Sequence, residues 1–407
     1  MSAGLPSQGA RTALALVVCA GVIIGFAMGT RHVQGVFLPP MVMAHGWTRE
    51  DFALALAVQN LVWGLAQPAA GMVADRYGTT RVAVAGCVLY AAGLLLQQQA
   101  QTPLQLLVGA GVVIGLALSA TSFAVVYGAV SRLSAPERRS WALGVAGAVA
   151  GLMQFLLVPG VQAFIGGMGW PAALLALALL GVLVAPLARA LDDRSVTAQA
   201  GGAALSMRAA IGQALTHKGF WLLNAGFLAC GFHLAFIAGH LPAYLMDRGL
   251  NASHGVTALA LIALANIAGT YLCGYLGGRY RRKYLLAGLY AVRTAAIAVF
   301  LLLPVSAPSL YLFAVVMGLT WLGTVPLTNG LLSQMFGVRY IATLFGFVFL
   351  GHQLGSFLGV WLGGWAYDRA GSYLPVWLAC LAIGLIAVAL HLPIDDREVA
   401  PAAARPA

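Results

Sequence analysis

Long apolar runs, each bounded by Gly, Pro or charged residues, recur along the chain at the length a helix needs to cross about 30 Å of hydrocarbon. They predict spans at 13–40, 52–74, 82–99, 104–130, 141–165 and 171–190. After a polar stretch from Asp192 to Lys218, six more are predicted at 219–246, 255–277, 284–304, 309–335, 341–366 and 374–391. The expected fold is an all-α membrane protein with 12 transmembrane helices in two six-helix bundles. Residues 1–191 would form the N-terminal bundle, 192–218 a cytoplasmic linker, and 219–407 the C-terminal bundle with a short cytoplasmic tail. The Ala- and Gly-rich stretch from Ser195 to Ser206 has the composition of a flexible linker.

Of the 407 residues, 61% are apolar and 8% charged, so lipid is the solvent for most of the chain and no soluble enzyme domain fits beside the spans. Cys19, Cys87, Cys230, Cys273 and Cys380 lie in apolar runs with neither paired nor metal-ligand spacing. They read as packing residues, and no metal or other cofactor is expected. The apolar run after Arg11 continues past any cleavage site, so helix 1 is expected to be a retained span. The net charge of +11 does not point to nucleic acid, because the basic residues are scattered among short loops. Apart from Arg49, Arg248 and Arg369, and from Arg31 and Arg293 within spans, every Lys and Arg falls on one side. The positive-inside rule therefore predicts that both termini are cytoplasmic.

The segment Gly71-Met72-Val73-Ala74-Asp75-Arg76-Tyr77-Gly78 recurs, weakened, 203 residues later as Gly274-Tyr275-Leu276-Gly277-Gly278-Arg279-Tyr280-Arg281. Each copy ends the second helix of its half, the mark of two parallel repeats. Gly71, Asp75, Arg76, Gly78 and Arg81 fit the G-x-x-x-D-R-x-G-x-x-R signature of the major facilitator superfamily, which the chain resembles over essentially its whole length. In that family the turn belongs to the cytoplasmic gate. An Asp there can bind exposed helix-end amides while nearby Arg residues pair across the bundle interface. Ordinary positive-inside loop chemistry is the plainer alternative.

Within the superfamily, Arg138-Arg139-Ser140-Trp141-Ala142-Leu143-Gly144 is similar to the R-R-x-L-A-x-G core of the monocarboxylate transporter motif. Gly351-His352-Gln353-Leu354-Gly355, then Gly363-Gly364 and Tyr367-Asp368, resemble bacterial members grouped with monocarboxylate and oxalate/formate carriers. The resemblance implies a multi-pass protein of a bacterial-type inner (cytoplasmic) membrane. Helix 1 lacks the acidic-Gly-Gly/Ser-aromatic motif of animal monocarboxylate carriers, and helix 8 carries Asn266 but no arginine. Drug/proton antiporters place an arginine in helix 4 and Gly-Pro in helix 5; here stand Gly111, and Val158 before Pro159.

All eleven acidic residues fall outside the predicted spans, whereas Arg31 and Arg293 fall inside them. An unpartnered cation at that depth costs from about 2.5 kcal/mol upward, so a substrate anion is a candidate counter-charge. Arg31 stands roughly 27 Å along helix 1, either lining a cavity or snorkelling to the outer surface. Arg293 lies near mid-depth in peripheral helix 9, where capping the carbonyls of a neighbouring broken helix is the favoured role. His352 in helix 11, and His233 and His240 in helix 7, are candidates for proton coupling or substrate contact, with plain packing as the alternative. Gln59, Trp63 and Gln67 form an i, i+4, i+8 stripe that has no reason to face lipid. Tyr127, Asn266 and Gln353 add hydrogen-bonding groups, about half of which should be purely interhelical. Pro39-Pro40 and Pro326 should bend or end their helices.

The expected substrate site is Arg31, Gln59, Trp63, Tyr127, His233, Asn266, His352 and Gln353. The expected gate is Gly71, Asp75, Arg76, Gly78, Arg81, Arg138 and Arg139. The function that follows is alternating-access transport of small organic anions, mono- or dicarboxylates, by proton symport or anion exchange. The expected partners are that anion, protons or a counter-anion, and the lipid bilayer, with no nucleic acid and a monomeric state. The rivals are a carrier of neutral or amphipathic compounds and a non-transporting receptor. An enzyme is not expected, since no catalytic constellation occurs at usable spacing.

Overall fold

The computed structural model describes residues 8–194 and 206–399, without the side chains of residues 8–12, Arg49, Glu50, Ala252 and Asp368. Nearly all of the expected linker stretch from Ser195 to Ser206, and the expectations placed on Arg11, Arg49 and the Asp368 side chain, lie outside the described residues. Among those described, 12 helices are long and apolar enough to cross a membrane. In chain order, α1 to α6 are Ala13–His45, Asp51–Tyr77, Thr79–Gln98, Pro103–Leu133, Arg139–Met168 and Trp170–Leu191. Next, α7 to α12 are Lys218–Asp247, Ser253–Gly277, Arg282–Leu302, Ala307–Phe336, Ile341–Tyr367 and Leu374–His391. A short helix, Met207–Thr216, precedes α7 and is capped by the Ser206 hydroxyl.

The helices form two six-helix bundles related by the repeat. Within the bundles α1 packs on α5 and α7 on α11, while α2 meets α11 and α5 meets α8 between them. With even numbers of spans, the α2–α3, α4–α5, α8–α9 and α10–α11 connections share one end, called here the basic end. Gly78, at φ +93°, closes the turn between α2 and α3 in one residue, a backbone shape that disfavours any side chain.

Three helices depart from the sequence expectation. Pro39 and Pro40 do not end α1, which continues to His45. The carbonyls they leave without donors belong to Gly35 and Val36 near the far end, and Gly35 has open space beside it. Instead, α4 contains a π-helical turn at Leu107–Val113 and breaks at Ser122. Helix α10 breaks between Leu319 and Thr324; Pro326 falls in the first turn of the new segment, where a missing N–H leaves no partner unsatisfied.

Glycine brings the bundles into backbone contact. A methyl group on Gly71 would overlap the Ala342 carbonyl of α11, and one on Gly144 would stand 2.6 Å from Gly274 Cα of α8. Gly274→Val should therefore force α5 and α8 apart at the basic end and abolish transport, with Tm in detergent lowered by a few degrees. Wild-type transport in that variant would show that the close approach is dispensable.

Candidate functional site

At the basic end a buried ion cluster joins α2, α3, α4 and α11, and with them both bundles. Asp75, in the last turn of α2, pairs with Arg132 Nη1 at 2.5 Å, and Arg132 Nη2 pairs with Asp193 at 2.6 Å; all three side chains are essentially inaccessible. Thr79 donates its amide (3.0 Å) and hydroxyl (2.7 Å) to Asp193. The second oxygen of Asp75 accepts the Thr343 amide and hydroxyl of α11, both at 2.7 Å. Thr343 lies in the first turn of α11, whose amides have no partner within the helix. The cluster carries one excess negative charge, directed at the positive end of the α11 dipole.

This corrects two expectations. Asp75 lies within a span and is buried, as Asp193 is just beyond one, so carboxylates are not confined to exposed turns. The arginine that meets Asp75 is Arg132 of the same bundle; Arg76, Arg81 and Arg138 are exposed, and Arg76 lies over the Tyr77 ring at 5.3 Å. Arg139 donates to the Ser131 carbonyl at 2.9 Å, within its own bundle. Asp75 takes a helix-end amide, Gly71 lies against the Ala342 carbonyl and Gly78 forms the turn.

Of the residues around Asp75, Asp193 had a sequence signal. Leu191-Asp192-Asp193-Arg194 recurs as Ile394-Asp395-Asp396-Arg397 at the same 203-residue spacing. In the second copy Asp396 accepts from Arg281, and Gln334 donates to the Asp396 carbonyl at 2.7 Å. Across the bundle interface, the Ser140 hydroxyl of α5 donates to the Gly277 carbonyl at 3.1 Å and accepts from Arg282 at 2.7 Å. Gly278 stands where the first copy has Asp75, so that position of the second copy supplies no carboxylate to the α5 N-terminus. The Arg194 side chain holds the exposed Asp192 carboxyl down to about 2.

Near the middle of α1, Arg31 is half-buried. Its Nη2 donates to Asn60 Oδ1 of α2 at 2.6 Å, its guanidinium lies 5.3 Å from the Trp63 ring centroid, and its Nε has no partner among the described residues. Across the interface Gln353 of α11 donates to the Asn60 carbonyl at 3.3 Å and accepts from or lies beside His352 Nδ1 at 3.2 Å. Below them Trp63, Phe349 and His352 form a continuous wall, Phe349 lying tilted against Trp63 at 4.8 Å and stacked on His352 at 5.2 Å. Among the described residues, every inter-bundle hydrogen bond lies at this level or closer to the basic end.

The other expected site residues are distributed elsewhere. Gln59 donates to the Ala110 carbonyl of α4 at 2.6 Å, and Gln67 to the Ser119 carbonyl at 2.8 Å, so both brace the N-terminal bundle. His233 engages the Cys380 carbonyl of α12 at 2.9 Å, inside the C-terminal bundle. Asn266 Oδ1 accepts the Leu322 amide at 3.0 Å, capping the α10 break. Tyr127, whose hydroxyl is buried without a partner among the described residues, abuts Gly147 of α5 at the α5–α8 contact. Arg293 Nη2 donates to the Thr320 and Trp321 carbonyls of that same break, as the sequence suggests.

The sequence profile of the Major Facilitator Superfamily matches residues 17–360 and 258–407. The chain belongs to the Major Facilitator Superfamily. Monocarboxylate transporter 11 of Homo sapiens is 28% identical over 373 residues, covering 88% of this chain and 78% of that protein. The MFS-type transporter YhjX of Escherichia coli (strain K12) is 23% identical over 356 residues, 84% of this chain and 85% of the relative. The superfamily transporter FucP, solved in the outward conformation, superposes with a TM-score of 0.71 at 14% identity over 92% of this chain and 97% of its own. This superfamily member is thus a multi-pass membrane transporter.

In the ion cluster, Arg132→Gln strands two facing carboxylates and should cost about 3–5 kcal/mol, whereas Asp75→Asn leaves the neutral Arg132–Asp193 pair intact and should cost less. Thermal unfolding in detergent should rank Tm as wild type, Asp75→Asn, then Arg132→Gln; equal values would contradict the buried cluster. At the second copy, Arg281 holds the Asp396 carboxyl below its ordinary range. That stabilisation is complete above the unfolded value and lost as pH falls through the folded one. The Tm gap between wild type and Asp396→Asn should be constant from about pH 5 to 8 and close below about pH 4. A gap unchanged at about pH 3 would rule the pairing out.

Proposed function

We propose that this transporter moves small organic anions, carboxylates above all, by alternating access, as proton symport or anion exchange. The observation that carries the reading is Arg31. It is a half-buried cation midway along α1 with a buried Nε–H that has no partner, no salt bridge among the described residues, and an aromatic floor beside it. A guanidinium so placed gains most from a ligand that brings its own negative charge. Trp63 and Phe349 offer the apolar part of such a ligand a stacking surface, and Asn60, Gln353 and His352 supply hydrogen bonds. The names of the monocarboxylate transporter relatives favour the same class.

The Asp75 cluster, with Gly71, Gly78 and the flanking Arg76, Arg81, Arg138 and Arg139, is on this reading the cytoplasmic gate. The basic end faces the cytoplasm of a bacterial-type cell, with both termini there, because most Lys and Arg residues lie at that end. Residues 1–191 and 219–407 are then the two rocking units around a linker at 192–218. Gln59, His233, Asn266 and Tyr127 brace the path from behind.

Thermal unfolding of the purified protein with acetate, lactate, pyruvate, benzoate, oxalate, succinate, citrate and uncharged analogues tests the reading. A carboxylate at 100 times its Kd adds about 2.7 kcal/mol and raises Tm by several degrees. Arg31→Gln should erase that shift and abolish uptake while leaving the unliganded Tm within about two degrees. Stabilisation by neutral or amphipathic compounds alone would favour the rival carrier; a carboxylate shift retained in Arg31→Gln would remove Arg31 from the site.

A further inference from the structure

Inside the C-terminal bundle, α7, α9, α10 and α11 enclose a cation that has no carboxylate partner among the described residues. Arg293 is fully buried. Its Nη2 meets the two carbonyls at the α10 break, its Nη1 points at Cys230 Sγ at 3.6 Å, and its Nε has no partner among the described residues. Carbonyl dipoles soften a buried charge without cancelling it, and an arginine does not release its proton. The balancing charge must come from a neighbour that can become an anion.

The ionisable groups around Arg293 make a short set: Cys230 from α7, Tyr290 from α9 and His352 from α11, with His233, Cys273 and His391 behind them. Only thiol and phenol can become anions, and a thiol is ordinarily the stronger acid. Cys230 is also the better placed. Thr324 of α10 holds its sulfur at 3.2 Å, and the His352 imidazole lies beside the same atom. The Tyr290 hydroxyl, which meets no partner at full hydrogen-bond geometry among the described residues, lies beside the Cys230 sulfur as well, where it can donate to a thiolate.

We propose that Cys230 is the proton carrier of this transporter, alternating between a thiolate paired with Arg293 and a neutral thiol, with His352 passing the proton between cavity and sulfur. The inference rests on the reading of the protein as a carboxylate transporter linked to protons. In the loading step His352 takes a proton from cavity water; an imidazolium N–H bond then breaks as the S–H bond forms, and no electrons are exchanged. The neutral thiol leaves Arg293 without its counter-charge. A polar chain leads from there to the anion site: Cys230 to His352, His352 to Gln353, Gln353 to Asn60, and Asn60 to Arg31. Binding an anion at Arg31 therefore favours protonation of Cys230, and the two loads travel together.

The direct test is infrared spectroscopy of the S–H stretch of the purified full-length protein across about pH 5 to 9. Wild type minus Cys230→Ser isolates one thiol band, which should vanish as pH rises; in Arg293→Gln the same band should persist. Cys230→Ala repeats the subtraction if the serine variant is unstable. In liposomes, Cys230→Ser should lose at least tenfold of the benzoate accumulation driven by a pH gradient, yet keep benzoate exchange at equal pH. A Cys230 band that survives to pH 9, or pH-driven accumulation unchanged in both Cys230 variants, overturns the proposal. Absence of carboxylate exchange in wild type instead overturns the substrate reading, and the infrared titration then decides the charge pair by itself.

Discussion

One carboxylate bonded to both bundles joins them at the basic end. Asp75 is bound to Arg132 in its own bundle and to the first-turn amide and hydroxyl of α11 in the other. In a low-dielectric interior the negative charge left over from the Asp75–Arg132–Asp193 set needs a positive partner, and the α11 N-terminus supplies about half a charge. A charge–dipole contact of this kind is worth up to about 2 kcal/mol, and water can take over both sides once the bundles separate. The bond is strong enough to choose a state and weak enough to be reversed, as alternation between two states requires.

The two halves of the repeat use this device unequally. Where the first half directs Asp75 at α11, the second has Gly278, and Arg282 reaches the Ser140 hydroxyl near the start of α5. A cation at a helix N-terminus is electrostatically unfavourable, so that side relies on backbone proximity at Gly144 and Gly274 and on neutral hydrogen bonds. The same architecture therefore carries a charged latch on the α2–α11 side and a steric fit on the α5–α8 side. Loss of charge at Asp75 and loss of space at Gly274 should disturb the closed end by different means.

The fold was legible because lipid imposes a coarse rule: apolar runs of sufficient length must be helices, and their number fixes the bundle plan. Side-chain partners were legible only where charge left few choices. Arg293 had no acid in reach, so carbonyls at a helix break were its natural ligands. The stripe of Gln59, Trp63 and Gln67 was a true helix face, but which neighbour each residue meets depends on the turn of α2 against α4 and α11, which periodicity does not encode. Asn266 was unreadable for the related reason that its partner, the Leu322 amide, becomes free only when α10 breaks. Arg132 and Asp193 were passed over because each stands at the boundary of a span, where a charged residue looks like loop chemistry. The repeated Asp-Asp-Arg ending of the two halves was the available clue.

The polar chain between the two deep cations crosses from one bundle to the other at a single point, the Gln353 to Asn60 contact of 3.3 Å. Everything on one side of that contact moves with α2 and everything on the other with α11. In the proposed rocking cycle, opening the basic end draws α2 away from α11, so this contact and the Asp75 to Thr343 bonds break together. In that proposed cycle an anion at Arg31 and a proton at Cys230 lose their electrical connection in the same movement that exposes them to the other side. On the return, neither the latch nor the chain re-forms until the bundles are back in register, so the geometry ties the order of loading and release to the position of α2 against α11.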